Sequence, residues 1–204
     1  MQQEKYNIES GEEKAWRELK AADPGQVEIN SGAEYDAARD AYRLEILGGV
    51  YEASVGEKKI TCISDPGRKP EYFINLATPV YLVQAKPVGP SGELVKELKG
   101  GDFFFRGSHT LPLRPIAEKY GNDKELFIKS AASVGGTPIG MGDAGFAFRA
   151  YPRIGMAFVL WLADDEFEAR ASLLFDSLAD RHMALDAVWA VALVACQRVL
   201  SFTS

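Results

Sequence analysis

Cysteine and histidine are scarce in this chain, and their scarcity excludes several kinds of site. The 204 residues include only two cysteines, Cys62 and Cys196, and two histidines, His109 and His182. Two cysteines cannot complete a four-cysteine zinc or iron–sulfur site within one chain. We therefore predict no intrinsic iron–sulfur cluster and no metal site. The two thiols are expected to be half-buried in a reducing compartment.

The chain also lacks a basic surface and a long apolar segment. Its 23 Lys and Arg are outnumbered by 29 Asp and Glu, which gives a net charge of −6. Binding to nucleic acid needs clustered cations that displace counterions, so this class of partner is disfavoured. The longest apolar stretch, residues 187–196, is too short to cross a bilayer, and the first residues do not resemble a secretory signal. These absences predict a cytoplasmic protein with no membrane insertion.

What the chain does contain is enough apolar residues for one sizeable core. Its hydrophobic fraction is 47% and its charged fraction 25%, both ordinary for a globular protein. No internal repeat or long linker divides it. We predict a single domain over residues 1–204.

The sequence pattern of the first third of the chain predicts a helix followed by strands. Ser10 and Glu13 form a capping box for a helix that buries Ala15, Trp16 and Leu19 and ends at Asp23-Pro24-Gly25. From residue 27 to residue 64 the apolar spacing approaches two, which predicts an antiparallel meander with turns at Gly48-Gly49 and at Gly56.

The middle of the chain is predicted to be helical, and its last third is predicted to contain strands followed by a helix. Helices are predicted at residues 71–84, kinked or stopped by Pro79, and at residues 94–98, 114–120 and 123–134. Strands 154–162 and 169–175 form a hairpin around Asp164-Asp165-Glu166, with Phe167 tucked under its turn. The apolar stripe of residues 185–200 predicts a buried amphipathic helix. The fold class is therefore α+β: an antiparallel sheet packed with a helical middle segment and an amphipathic C-terminal helix.

Several segments along nearly the whole chain carry a family resemblance: Asp23-Pro24, Gly100-Gly101-Asp102-Phe103, Arg114-Pro115-Ile116-Ala117, Pro152-Arg153, Phe158-Val159-Leu160-Trp161, Asp165-Glu166-Phe167, Leu174-Phe175-Asp176-Ser177 and His182. Together they resemble a bacterial and archaeal family catalogued as domain of unknown function 3786. The family has no established activity. Some members look like fusions to a four-cysteine iron–sulfur domain of a type also found beside corrinoid proteins. The resemblance thus implies anaerobic one-carbon metabolism and a partner that is an iron–sulfur or corrinoid protein. This chain lacks the fused domain's cysteines, so the resemblance does not extend to an electron-transfer role of its own.

His182 is the first candidate for a ligand-binding residue. A histidine close to a helix start favours the neutral imidazole, which suits a ligand to a metal, a corrinoid or a haem. Asp176 and Asp180 could orient its ring. In the alternative, His182 packs within its loop and Asp176 accepts hydrogen bonds from backbone N–H groups.

The other candidates are Arg153, His109 and Trp161. Arg153, with Arg149 and Arg170, would form an anion site if the three converged. His109 follows Phe103-Phe104-Phe105-Arg106, which could wall a pocket for a planar ligand or instead form a core strand before a polar turn. Trp161 joins the predicted ligand-binding set from the family motif. The glycine-dense residues 135–145 are predicted to be a turn-rich connection, and Asp164-Asp165-Glu166 a solvated turn.

No set of residues in the sequence makes a convincing catalytic group. The leading hypothesis is a non-catalytic binding or accessory module in anaerobic redox or corrinoid-linked one-carbon metabolism. Two alternatives stay open. One is an enzyme whose pocket contains His182, Asp176, Arg153 and His109, and the other is a tetrapyrrole- or corrinoid-binding protein with His182 as axial ligand.

Overall fold

The computed structural model describes residues 11–101 and 107–203. Within them lie six α-helices: α1 (Gly11–Ala21), α2 (Pro24–Ser31), α3 (Tyr72–Gln84), α4 (Leu113–Tyr120), α5 (Lys124–Ala132) and α6 (Leu185–Ser201). A four-stranded sheet contains β1 (Glu34–Asp36), β2 (Ala41–Ile46), β3 (Gly49–Ser54) and β4 (Lys59–Cys62). A five-stranded sheet contains β5 (Leu94–Val95), β6 (Thr137–Ile139), β7 (Ala144–Tyr151), β8 (Ile154–Trp161) and β9 (Arg170–Asp176).

Both sheets are antiparallel, so the predicted α+β class is confirmed. The N-terminal sheet is a meander in the order β1-β2-β3-β4, and the second sheet has the order β5-β9-β8-β7-β6. The predicted sheet is thus two sheets, with the meander in one and the C-terminal hairpin in the other. Buried residues of both sheets and of all six helices form one connected apolar cluster.

The α1 and α6 helices follow the sequence pattern closely. Helix α1 buries Ala15, Trp16 and Leu19 as predicted, while its expected cap, Ser10, lies outside the described residues. Helix α6 buries the stripe that includes Val188, Val199 and Cys196. No helix within residues 11–101 and 107–203 is long and apolar enough to cross a membrane.

Two segments differ in type from the prediction. Residues 24–31 form helix α2 rather than the beginning of the meander, because the Asp23 side chain accepts a hydrogen bond from Gln26 N (2.8 Å) and Pro24 occupies the first helical turn. Residues 94–98 are not a helix. Leu94 and Val95 instead pair with the end of β9, and this pairing overrides the local helical preference.

Three finer predictions also need correction. Helix α3 continues through Pro79 to Gln84, so the early stop that was one of the two predicted outcomes does not occur. The turn between β2 and β3 consists of Leu47 and Gly48, with φ values of 48° and 75°, rather than Gly48 and Gly49. Phe167 is 66% exposed and is not tucked under its turn, which Asp164 closes by accepting hydrogen bonds from Glu166 N and Phe167 N.

Candidate functional site

His182 lies directly before α6 and is fully buried. Its Nδ1 accepts a hydrogen bond from Lys86 N at 3.3 Å, so in the neutral ring the proton is on Nε2. The Nε2 atom is enclosed and has no hydrogen-bond partner among the described residues. Burial, followed by the charge of Arg153, lowers the pKa of His182 and keeps the ring neutral. Because one nitrogen is already bonded and the other is protonated and enclosed, the ring presents no open lone pair to a metal or a tetrapyrrole.

Asp176 ends β9 and holds the loop that leads into β5. Its carboxylate accepts hydrogen bonds from Ser91 N (3.0 Å), Ser91 Oγ (2.9 Å), Gly92 N (2.8 Å) and Leu178 N (3.0 Å). Burial opposes ionisation of Asp176, but these donors outweigh it and lower its pKa. The side chain therefore acts as a backbone cap, which is the alternative that the sequence left open.

Replacing Asp176 with asparagine should lower the free energy of unfolding by about 1.5–3 kcal/mol at pH 7. The amide keeps one oxygen but directs an NH₂ group at backbone donors. Because the carboxyl pKa is depressed in the folded state, its contribution is complete above the unfolded pKa of about 3.9 and is lost as the pH falls through the folded value. Urea unfolding from pH 7 to pH 3 measures the difference, with exposed Asp165→Asn as the control. A normal stability at pH 7 would contradict the capping role.

The three arginines predicted to converge have separate partners. Arg153 donates from Nε to Asn30 O (3.3 Å) and from Nη2 to Ile29 O (3.0 Å), which satisfies carbonyl groups near the end of α2. Arg149 donates to Pro152 O, and Arg170 lies over the ring of Trp161 at 5.3 Å. The geometry gives no single anion site made from the three guanidinium groups.

The five predicted ligand-binding residues fall into three places. Arg153 and Asp176 are close enough to His182 to shift its pKa in opposite directions, yet neither is its hydrogen-bond partner. His109 packs edge-on against Trp189 and lines a cavity of about 380 Å³ between α1, α3 and α6. The Phe103-Phe104-Phe105-Arg106 segment predicted beside it lies outside the described residues.

Trp161 lines a second and larger groove, which has a volume of about 700 Å³ and lies between α4 and β9. Charged side chains surround it, with Lys96, Arg114 and Arg170 carrying positive charge and Glu118 and Glu168 negative charge. His182 lines neither this groove nor the cavity of His109. Of the groove residues, Arg114, Ala117 and Trp161 stand in segments that carry the family resemblance, and Arg170 was a candidate for the anion site; no sequence pattern indicated that they share one groove.

Neither cysteine is part of these sites. Cys62 and Cys196 are both buried free thiols, and burial raises the pKa of Cys196, which keeps it protonated and inert. Among the residues that the structure describes, no group of three or more His, Cys, Asp or Glu side chains could hold a metal ion.

These features define an α+β protein in which Asp176, His182 and Arg153 form hydrogen bonds with backbone groups of the chain itself. Two open depressions lie on its surface. A model of the family described as domain of unknown function (DUF3786) matches residues 23–198, which is most of the chain. The protein belongs to the DUF3786 family. No curated protein and no solved structure matches it.

Proposed function

We propose that this protein is a non-catalytic binding module that docks an iron–sulfur or corrinoid protein in anaerobic redox or corrinoid-linked one-carbon metabolism. The family resemblance supports the metabolic setting. The internal roles of Asp176, His182 and Arg153 support a non-catalytic role, because these polar groups serve the chain's own loops rather than an open pocket.

The single observation that carries the docking role is the edge at the start of β9, beside α4, which lacks a strand partner and is at least partly exposed at residues 170–172. Strand β5 pairs only with Phe175 and Asp176, so residues 170–174 have no strand partner on the side away from β8 within the described chain. An exposed strand edge offers a row of backbone donors and acceptors to which an extended segment can add as a further strand. The groove of about 700 Å³ between α4 and β9 lies at this edge and is lined by residues 169–172.

The side chains around the edge favour a partner segment that carries acidic residues. Arg114 is already paired with Glu118 at 2.8 Å, so the other charged residues of the lining are Lys96 and Arg170 against Glu168, an excess of one positive charge. Trp161, half-buried under Arg170, supplies the kind of aromatic surface that often contributes most to binding energy.

The test is binding of purified corrinoid proteins and four-cysteine iron–sulfur proteins from the host, measured by calorimetry. We expect Trp161→Ala to weaken binding roughly 30-fold or more, as for a central aromatic residue of an interface. Arg170→Glu should slow association and reduce its dependence on salt, because it reverses a steering charge. Lys59→Glu, on the edge strand of the other sheet, is the matched control. If wild-type protein binds neither class, or if Trp161→Ala binds normally, the proposal fails.

Direct binding of a tetrapyrrole is a separate alternative that can be tested with the same protein. We expect titration with hydroxocobalamin or haem to cause no shift in the absorbance spectrum, since His182 has no open lone pair. A saturable shift that disappears in His182→Ala would show that the protein binds the cofactor through His182, and it would contradict the docking proposal.

A further inference from the structure

We propose that the cavity between α1, α3 and α6 binds a small organic cation of the quaternary ammonium class. This site is distinct from the docking groove, and it includes none of the residues on which that function rests. Its volume of about 380 Å³ falls in the range of small-molecule sites.

Four rings follow one another along the cavity. Tyr72 contacts Phe73 at 5.4 Å between ring centroids, Phe73 contacts Trp189 at 5.5 Å, and Trp189 contacts His109 at 4.9 Å. Each successive pair meets at a steep angle, between 62° and 84°, so the rings face in different directions. These edge-to-face contacts place four aromatic rings, set at different angles, along the lining of one cavity. The negative face of an aromatic ring attracts a cation such as a quaternary ammonium group.

The exposure of Tyr72 also points to a ligand. It is 70% exposed although it begins a helix whose following residues are largely buried. Its ring nevertheless stays in contact with Phe73 at the mouth of the cavity. An exposed aromatic residue beside an apolar cavity extends the surface that a ligand can cover.

The charge of the lining selects a cation rather than a neutral apolar molecule. Glu12 and Asp186 are the carboxylates of the lining, and no Lys or Arg lines the cavity in the described part of the chain. Each carboxylate also suits the first turn of its own helix, so the two acids alone would not define a site. Together with the rings they give a negative, aromatic cavity, which complements an organic cation in both charge and shape.

The test compares choline with 3,3-dimethylbutan-1-ol, the uncharged compound of the same shape, by calorimetry and ligand-observed NMR. We expect saturable binding of choline and affinity for the neutral compound weaker by roughly tenfold, as a partly desolvated cation–π site gives. Tyr72→Leu keeps apolar surface but removes one ring, and Asp186→Asn removes one charge while retaining the oxygen that accepts from Ala187 N. Each should weaken choline binding about three- to tenfold without changing the affinity for the neutral compound as much.

Two controls match these variants at other places on the surface. Phe167→Leu removes an exposed ring far along the chain from the cavity, and Glu57→Gln removes an exposed carboxylate. Both should bind choline like the wild type. Equal affinity for choline and the neutral compound would reduce the site to an apolar groove, and absence of saturable binding to either would overturn the proposal. Unchanged choline binding in both Tyr72→Leu and Asp186→Asn would place the cation elsewhere.

Discussion

Arg198→Met should lower the free energy of unfolding by about 3 kcal/mol, at the lower end of the cost of breaking a buried ion pair. The Arg198 side chain is only 10% exposed, and its Nε and Nη2 each donate to one carboxylate oxygen of Glu71 at 2.8 Å. Nη2 also donates to Tyr51 Oη at 2.8 Å, and Nη1 to Leu47 O at 3.2 Å. One guanidinium thus ties α6 to the residue before α3 and to the β2–β3 hairpin. Since Glu71 is 32% exposed, water recovers part of the loss.

A double variant separates the pair from the packing around it. Glu71→Leu combined with Arg198→Met removes both charges, so we expect it to be more stable than Arg198→Met alone, as for other buried pairs replaced by apolar residues. Chemical denaturation of the two single variants and the double variant gives the coupling energy. A loss below 1 kcal/mol for Arg198→Met would show that this cluster does not hold the helices to the first sheet.

The ion pair between Glu71 and Arg198 also predicts how the stability of the protein changes at acidic pH. Burial disfavours the charged form of Glu71, but the hydrogen bonds and charge of Arg198 outweigh burial and lower its pKa. A depressed carboxyl pKa contributes stability that is complete above the unfolded value, about 4.3, and is lost as the pH falls through the folded value. The stability gap between wild type and Arg198→Met should therefore narrow between pH 5 and pH 3.

The elements that could be predicted from sequence are those whose evidence is local. The α6 stripe and the alternation of β2 and β3 are periodic over many residues, and their burial follows that period. The start of helix α2 could not be distinguished from the end of helix α1, because the sequence Asp23-Pro24-Gly25 can end one helix and can also begin the next. Both happen here within three residues of the end of α1.

Contacts between distant segments account for most of what the sequence did not reveal. Leu47 takes a left-handed φ of 48° although glycines follow it, since its side chain is fully buried and its N–H donates to Arg149 O in the second sheet. The docking groove likewise joins α4 to β9, and no local pattern indicates that Arg114 and Arg170 share a surface. The capping role of Asp176 was predictable as one of two alternatives, but its partners Ser91 and Gly92 were not.

Gly48→Ala is expected to lower the free energy of unfolding by about 2–5 kcal/mol, from left-handed strain and overpacking together. Gly48 has a φ of 75°, and a Cβ placed on it would lie 2.6 Å from Gly135 N and 2.9 Å from Gly135 Cα. Both neighbours are backbone atoms, so no rotation of a side chain can relieve the overlap. Gly135 also has a positive φ, of 78°, and follows helix α5. The contact brings the β2–β3 turn against the connection between α5 and β6.

Alanine substitutions at two other glycines separate the cost of backbone strain from the cost of overpacking. Gly92 has nearly the same φ, 79°, but open space where a Cβ would lie, so Gly92→Ala should cost only the strain of about 1–2 kcal/mol. Gly89 has open space and no positive φ, and Gly89→Ala should change stability by less than about 0.5 kcal/mol. Urea unfolding of the three variants should rank Gly48→Ala as the least stable and Gly89→Ala as the most stable. If Gly48→Ala cost no more than Gly92→Ala, the turn and the α5–β6 connection could separate freely, and their close approach would not help to fix the two sheets against each other.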